Sequence, residues 1–147
     1  MEDLIQIYNE VNNFGREHHL ELNIIEEGLI HYKMVVEEKH LATPTAAHGG
    51  AIAAFMDAVI GVAALSAVHK ENKLVSTIEF KINFFKPALL GDVLTGVGKV
   101  DKKGASIVFT TGEIFNQKNE LVAKAIGTLN AYPFSKSDIA QLKNKSY

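Results

Sequence analysis

The chain contains no cysteine among its 147 residues. This excludes a disulfide framework, a thiolate nucleophile and every cysteine-based metal site. It also lacks an excess of either charge, with 15 basic against 17 acidic side chains. Neither nucleic acid nor an anionic membrane surface is therefore expected as a partner. There is no internal repeat and no low-complexity segment. Histidine is present, but His18, His19, His31, His40 and His69 are scattered without metal-ligand spacing, so no metal site is expected. The opening residues Met1-Glu2-Asp3-Leu4-Ile5 lack the basic start and apolar run of an export signal, and a cytoplasmic location is the expectation.

The length suits a single domain over residues 1–147, with an N-terminal helix over 1–20 and a polar tail over 134–147. One stretch, Ala51 to Val68, is apolar enough to raise the question of a membrane span. Its seven alanines and one glycine make it only mildly hydrophobic. Asp57 near its middle would cost about 2.5–3.5 kcal/mol on insertion scales. A core helix covered on all sides is the better reading.

Leu4, Ile5, Tyr8, Val11 and Phe14 recur at helical spacing behind Asp3, a fitting N-cap, and predict one amphipathic helix to about His18. Leu22 to Val36 reads as a hairpin turning at Glu27-Gly28. A loop from Glu37 to Ala47 follows, with Thr45 or a neighbour expected to cap the long helix, which runs from about Gly49 to Val68. Beyond Asn72 the pattern changes to strict alternation, Leu74 to Phe84, broken by Pro87 and Gly91. Strands near Asp92–Val100, Ala105–Phe115 and Leu121–Ala131 follow as an antiparallel meander, with turns at Asp101-Lys102-Lys103-Gly104 and at Asn116–Asn119. Two strands before one long helix and four after it describe an α+β domain, an antiparallel sheet wrapped around a helix.

The chemistry concentrates in His48-Gly49-Gly50 and Asp57. Paired glycines at a helix start leave backbone N–H groups open at the positive end of the helix dipole, where an anion or oxyanion binds. Gly50, Ala53, Gly61, Ala64 and Val68 share the Asp57 side of the helix, opposite Ile52, Phe55, Val59 and Val62. The small face leaves room beside the carboxylate for a ligand or for another backbone. Helical rise puts Gly49 and Asp57 about 12 Å apart, too far to act on one carbonyl. A two-fold dimer with antiparallel helices brings Asp57 of one subunit to Gly49 and Gly50 of the other, giving two composite sites.

These residues, with the strand from Ser76 to Ala88, Gly91-Asp92 and the segment Ala123 to Thr128, resemble the hot dog fold thioesterases. The likeness is to the phenylacetic-acid-pathway type within the 4-hydroxybenzoyl-CoA thioesterase superfamily. It implies hydrolysis of acyl-CoA thioesters in a homodimer or homotetramer, with coenzyme A as part of the substrate and no separate cofactor. It implies that Gly49 and Gly50 N–H groups hold the oxyanion, that Asp57 is general base or nucleophile, and that the Thr77 hydroxyl orients the water or the acid. His48 is read as a general base or, more in keeping with its place, as a structural residue whose ring holds the turn. Phe84, Phe85, Lys86, Pro87, Lys102 and Lys103 are the candidates to meet the acyl group and coenzyme A. One departure stands out: Ala42 occupies the position where relatives often carry a side-chain amide. A non-catalytic acyl-CoA binding or regulatory module and a hydroxyacyl dehydratase are the alternative readings.

Overall fold

The computed structural model describes residues 3–145. Met1, Glu2, Ser146 and Tyr147, the ends of the expected helix and tail, lie outside the described residues.

Asp3 caps the first helix as expected, its Oδ1 accepting from the Ile5 and Gln6 N–H groups at 3.1 and 3.2 Å. The expected single helix is instead two, α1 (Leu4–Val11) and α2 (Asn13–Glu17). Asn12 breaks it, because its side chain accepts from the Gly15 N–H at 3.0 Å and starts a new helix. Asparagine offers its backbone this alternative wherever a second helix can be capped. Strands β1 (Glu21–Glu26) and β2 (Leu29–Val35) form the hairpin, with Gly28 at φ +81° in the turn.

Helix α3 (Gly49–Val68) matches the expected limits. It is followed by β3 (Lys73–Phe84), β4 (Val93–Lys103), β5 (Ile107–Phe115), β6 (Leu121–Pro133) and a short α4 (Asp138–Asn144). The first expected turn of the meander is displaced. Asp101 is the bulged residue of β4, Lys102 and Lys103 stay in the β4–β5 ladder beyond it, and only the segment closed by the Gly104 N–H to Ile107 carbonyl bond, 2.7 Å, turns the chain. The described part of the tail forms a helix: Ser137 caps α4, and Ala140 packs with Leu4, Leu65, Leu74 and Phe134.

All six strands form one antiparallel sheet in the order β1-β2-β4-β5-β6-β3, so β1 and β3 are its free edges. The sheet wraps α3. By length and composition α3 with its following turn is apolar enough to cross a membrane, but here Phe55, Met56, Val59 and Ile60 are buried in the core cluster against the sheet. The helix lies unusually close. A Cβ on Gly98 of β4 would sit 2.5 Å from the Val59 carbonyl oxygen, and one on Gly112 of β5 would sit 2.5 Å from Met56 Sδ. These strand glycines let helix backbone rest on sheet backbone.

Candidate functional site

The site begins where the loop enters α3. His48, in extended conformation at φ −63° and ψ 135°, is the helix cap. Its Nδ1 accepts from the Gly50 N–H at 2.8 Å, and its carbonyl accepts from Ala51 at 3.0 Å. Thr45, the expected cap, lies three residues too early; the chain between it and the helix is held by bridges of Ala46 to Leu89 and Ala47 to Leu41. Accepting at Nδ1 fixes a neutral His48 as the tautomer protonated on Nε2. The Gly50 N–H is thereby occupied, whereas the Gly49 N–H makes no hydrogen bond among the described residues. A groove of about 320 Å³ opens at Gly49, walled by Ile52, Phe84, Phe85, Lys86 and Pro87. Four expected contact residues thus gather here, with Lys86 paired to Glu120.

Asp57 lies two turns further along α3, half-buried. The Thr77 hydroxyl donates to its Oδ1 at 2.7 Å. Plain alternation along β3 puts Thr77 on one face with Glu79 and Lys81; the structure separates them. A bulge between Thr77 and Glu79 shifts the register, so Thr77 lies opposite the buried Leu129, while Glu79 and Lys81 lie opposite Thr128 and the exposed Ile126. One extra residue flips the faces beyond it. Thr77 consequently looks inward at the helix, and Phe80 and Ile82 do so after the bulge.

Beside this pair lies a cavity of about 350 Å³, walled by Tyr8, Asp57, Gly61, Thr77, Tyr132 and Ile139 among others. From α3 it is lined by Ala58, Gly61, Val62 and Leu65 beside Asp57; of the expected small face only Gly61 reaches it, and Ala64 and Val68 are buried in the core. Tyr8 accepts from Asn12 Nδ2 at 2.9 Å. Burial, and after it the neighbouring Tyr32 and Asp57, push the Tyr8 phenol far above its ordinary range. It stays a neutral wall of the cavity.

Lys102 and Lys103 are not near Gly49. Lys103 binds Glu71 and the Ala67 carbonyl, at the opposite end of α3. Lys102 is exposed on the same strand end.

Sequence spacing gave no reason to connect the histidines, yet the fold brings His18 and His40 together. Their Nδ1 and Nε2 atoms are 2.8 Å apart, and Phe14 stacks on His18. His40 is buried, at 2% exposure, and its Nδ1 accepts from the Glu37 N–H at 2.9 Å. A neutral His40 must then carry its proton on Nε2 and donate it to His18. Burial first, then the neighbouring cationic groups, hold both rings below the usual imidazole range. The His40 carbonyl accepts from the His48 N–H at 2.7 Å, which ties this pair to the start of α3. No group of three or more metal-ligating side chains occurs among the described residues.

Residues 45–123 match the family model of the thioesterase superfamily. Over 112 residues, 75% of this chain and 70% of the relative, the sequence is 32% identical to a protein of Archaeoglobus fulgidus named as a candidate esterase. Among solved structures, the PaaI protein from the phenylacetic acid degradation operon of Escherichia coli shares the fold. Its TM-score is 0.80 over 87% of this chain and 90% of that one, at 22% identity. Smu.793 from Streptococcus mutans, solved bound to acetyl CoA, matches with a TM-score of 0.71 over 78% and 89% of the two chains, at 26% identity.

Proposed function

Since the chain belongs to the thioesterase superfamily and is a hydrolase of thioesters, we propose that it cleaves acyl-CoA in composite sites across a two-fold dimer, with Asp57 as the acid-base group or nucleophile. The Thr77–Asp57 hydrogen bond in the wall of an apolar cavity carries this reading.

Carbonyl polarisation falls to the Gly49 N–H, because the Gly50 N–H is held by His48. Such a donor at a developing oxyanion is typically worth about 10²–10³ in rate. With Thr77 holding Oδ1, Asp57 has Oδ2 free to take a proton from water as that water attacks the thioester carbon. The tetrahedral oxyanion then collapses, the C–S bond breaks, and the proton leaves with the coenzyme A thiol. Attack by Asp57 itself would instead form a mixed anhydride that water opens. Both routes consume only the thioester and water. Lys86, Phe84 and Phe85, in the groove at Gly49, are placed to meet coenzyme A.

Edge strand β3 supports a specific dimer. Thr77 adjoins Asp57, and Phe84 adjoins Gly49, where an added Cβ would meet its ring at 3.7 Å. With the bulged Ile78 counted as the extra residue, antiparallel pairing of two β3 edges about an axis at Lys81 sets Thr77 opposite Phe84 of the partner subunit. Asp57 then faces Gly49 of the partner subunit, as the composite site requires. A twelve-residue edge carrying Ile78 at 56% exposure is a surface that pairing would cover. Two such dimers in a tetramer remain compatible with this arrangement.

The alternative of an acyl-CoA binding module has one observation in its favour. Ala42 offers no side-chain amide, and the Thr43 hydroxyl oxygen nearby is taken up by the Ala46 N–H at 2.9 Å. Thiol release from aryl and aliphatic acyl-CoAs, with Asp57→Ala alongside, separates the two. A fall of at least about a hundredfold in the variant supports the hydrolase. Tight binding with no release by the unaltered protein would favour the module.

A further inference from the structure

We infer that the cavity beside Asp57 holds the acyl group of the substrate, and that Gly61 and the wall residues Tyr8, Tyr132 and Ile139 set the longest acyl group accepted. This rests on the hydrolase reading only for the identity of the head group.

The cavity is continuous with the Thr77–Asp57 pair, so an acyl group whose carbonyl stands at Asp57 has this space directly ahead of it. Its walls are mostly apolar: Ala58, Val62 and Leu65 from α3, Val11 from α1, Leu129 from β6. Gly61 adds an independent mark. Glycines 96, 98, 112 and 127 are each crowded by core atoms within 3.0 Å of an added Cβ, so packing accounts for them. A Cβ on Gly61 meets only Leu129 Cδ2, at 4.0 Å. Nothing in the described chain fills the place its side chain would take, and that place is the cavity.

Size gives the substrate class. A dry cavity of about 150 Å³ holds one benzene ring. The space of about 350 Å³ here takes roughly ten to fourteen carbon atoms on that scale. That fits a medium-length aliphatic chain or an aryl ring on a short linker, and it excludes long-chain acyl groups. Part of the wall comes from elements near the two ends of the chain: Tyr8 on α1, Tyr132 at the end of β6 and Ile139 on α4.

Non-hydrolysable S-alkyl coenzyme A thioethers of increasing chain length, titrated calorimetrically, test this without relying on turnover. Affinity should rise up to about fourfold per methylene buried, then level off near the medium-chain limit. Gly61→Val should bring the plateau to shorter chains, and Ile139→Ala should move it to longer ones. Thermal unfolding of each variant checks that it folds; should Gly61→Val fail, Ile139→Ala carries the test. Absence of any chain-length dependence, or a plateau unmoved in the folded variants, overturns the inference. Acyl-CoA hydrolysis is followed in parallel. An intact length limit without thiol release would defeat the hydrolase and leave the pocket; hydrolysis without a length limit would do the reverse.

Discussion

The Thr77 hydroxyl hydrogen is committed to Asp57 Oδ1, at 2.7 Å, across the gap between an edge strand and the central helix. One carboxylate oxygen is thereby held, and the other is free for the proposed chemistry. Thr77→Val should lower kcat about ten- to a hundredfold with little change in KM, the loss expected for a hydrogen bond to a charged group. Thr77→Ser should retain most activity. A pure KM effect in steady-state kinetics would contradict the positioning role.

Composite sites make subunit complementation a direct test. Gly49→Pro removes the proposed oxyanion donor at low structural cost, since proline suits the first helical position and His48 before it is already extended. Dimers of Gly49→Pro and of Asp57→Ala should each be nearly inactive. After mixing and exchange, half the dimers would contain one intact site, and activity should recover to roughly a quarter of the unaltered level. Failure to recover in verified heterodimers would place Gly49 and Asp57 in one subunit's site or in none.

Much of this architecture was legible in sequence. Alternation located the strands, and the long apolar run behind Gly49-Gly50 located α3, which is covered on nearly all sides. The bulge in β3 was not legible: Ile78 looks like one more inward residue, and only the ladder with β6 shows that it is the extra one. Asn12 was hidden similarly, since its neighbours keep helical spacing while its side chain caps a second helix. Gly96 and Gly98 left a signal that could have been used, two glycines spaced by two within a strand, which marks close approach of another backbone. His18 and His40 lie 22 residues apart, and no local rule joins them.

Two glycines should respond in opposite directions to alanine. Gly98→Ala would drive a Cβ into the Val59 carbonyl oxygen, and should destabilise by about 1–3 kcal/mol, the usual cost of overpacking. Gly61→Ala meets only Leu129 Cδ2, in ordinary contact at 4.0 Å, and should stabilise by about 0.4–1 kcal/mol through the unfolded chain. Urea unfolding at one fixed protein concentration reads both, since dimer stability varies with concentration. Equal effects would contradict the packing described for α3.

The histidine pair predicts acid sensitivity. The chain Glu37 N–H to His40 to His18 works only with both rings neutral, because a proton on Nδ1 of either ring sets two donors face to face. Their folded values lie below the ordinary one, so the unfolded chain binds protons that the folded chain refuses. Stability should hold above about pH 6.5 and decline as the pH falls through the folded values. Glu37, Lys39 and His19 are the charged neighbours. Melting temperatures between pH 7.5 and 5, on the order of two units around the imidazole range, should drop less for His18→Leu than for the unaltered protein. Parallel pH profiles for the two proteins would remove the pair as the cause.

Helix α3, bedded closely on the glycines of β4 and β5, acts as a gauge block for the proposed dimer. Gly49 and Asp57 are separated by a count of helical residues, about 12 Å in steps of about 1.5 Å, with no loop between them to stretch or relax. In the proposed two-fold dimer that count sets how far apart the two composite sites stand. What can be remodelled is the lining supplied by the two ends of the chain, where α1 and α4 meet over the cavity. The lining from the chain ends can thus drift while the spacing of the two proposed sites along α3 stays put.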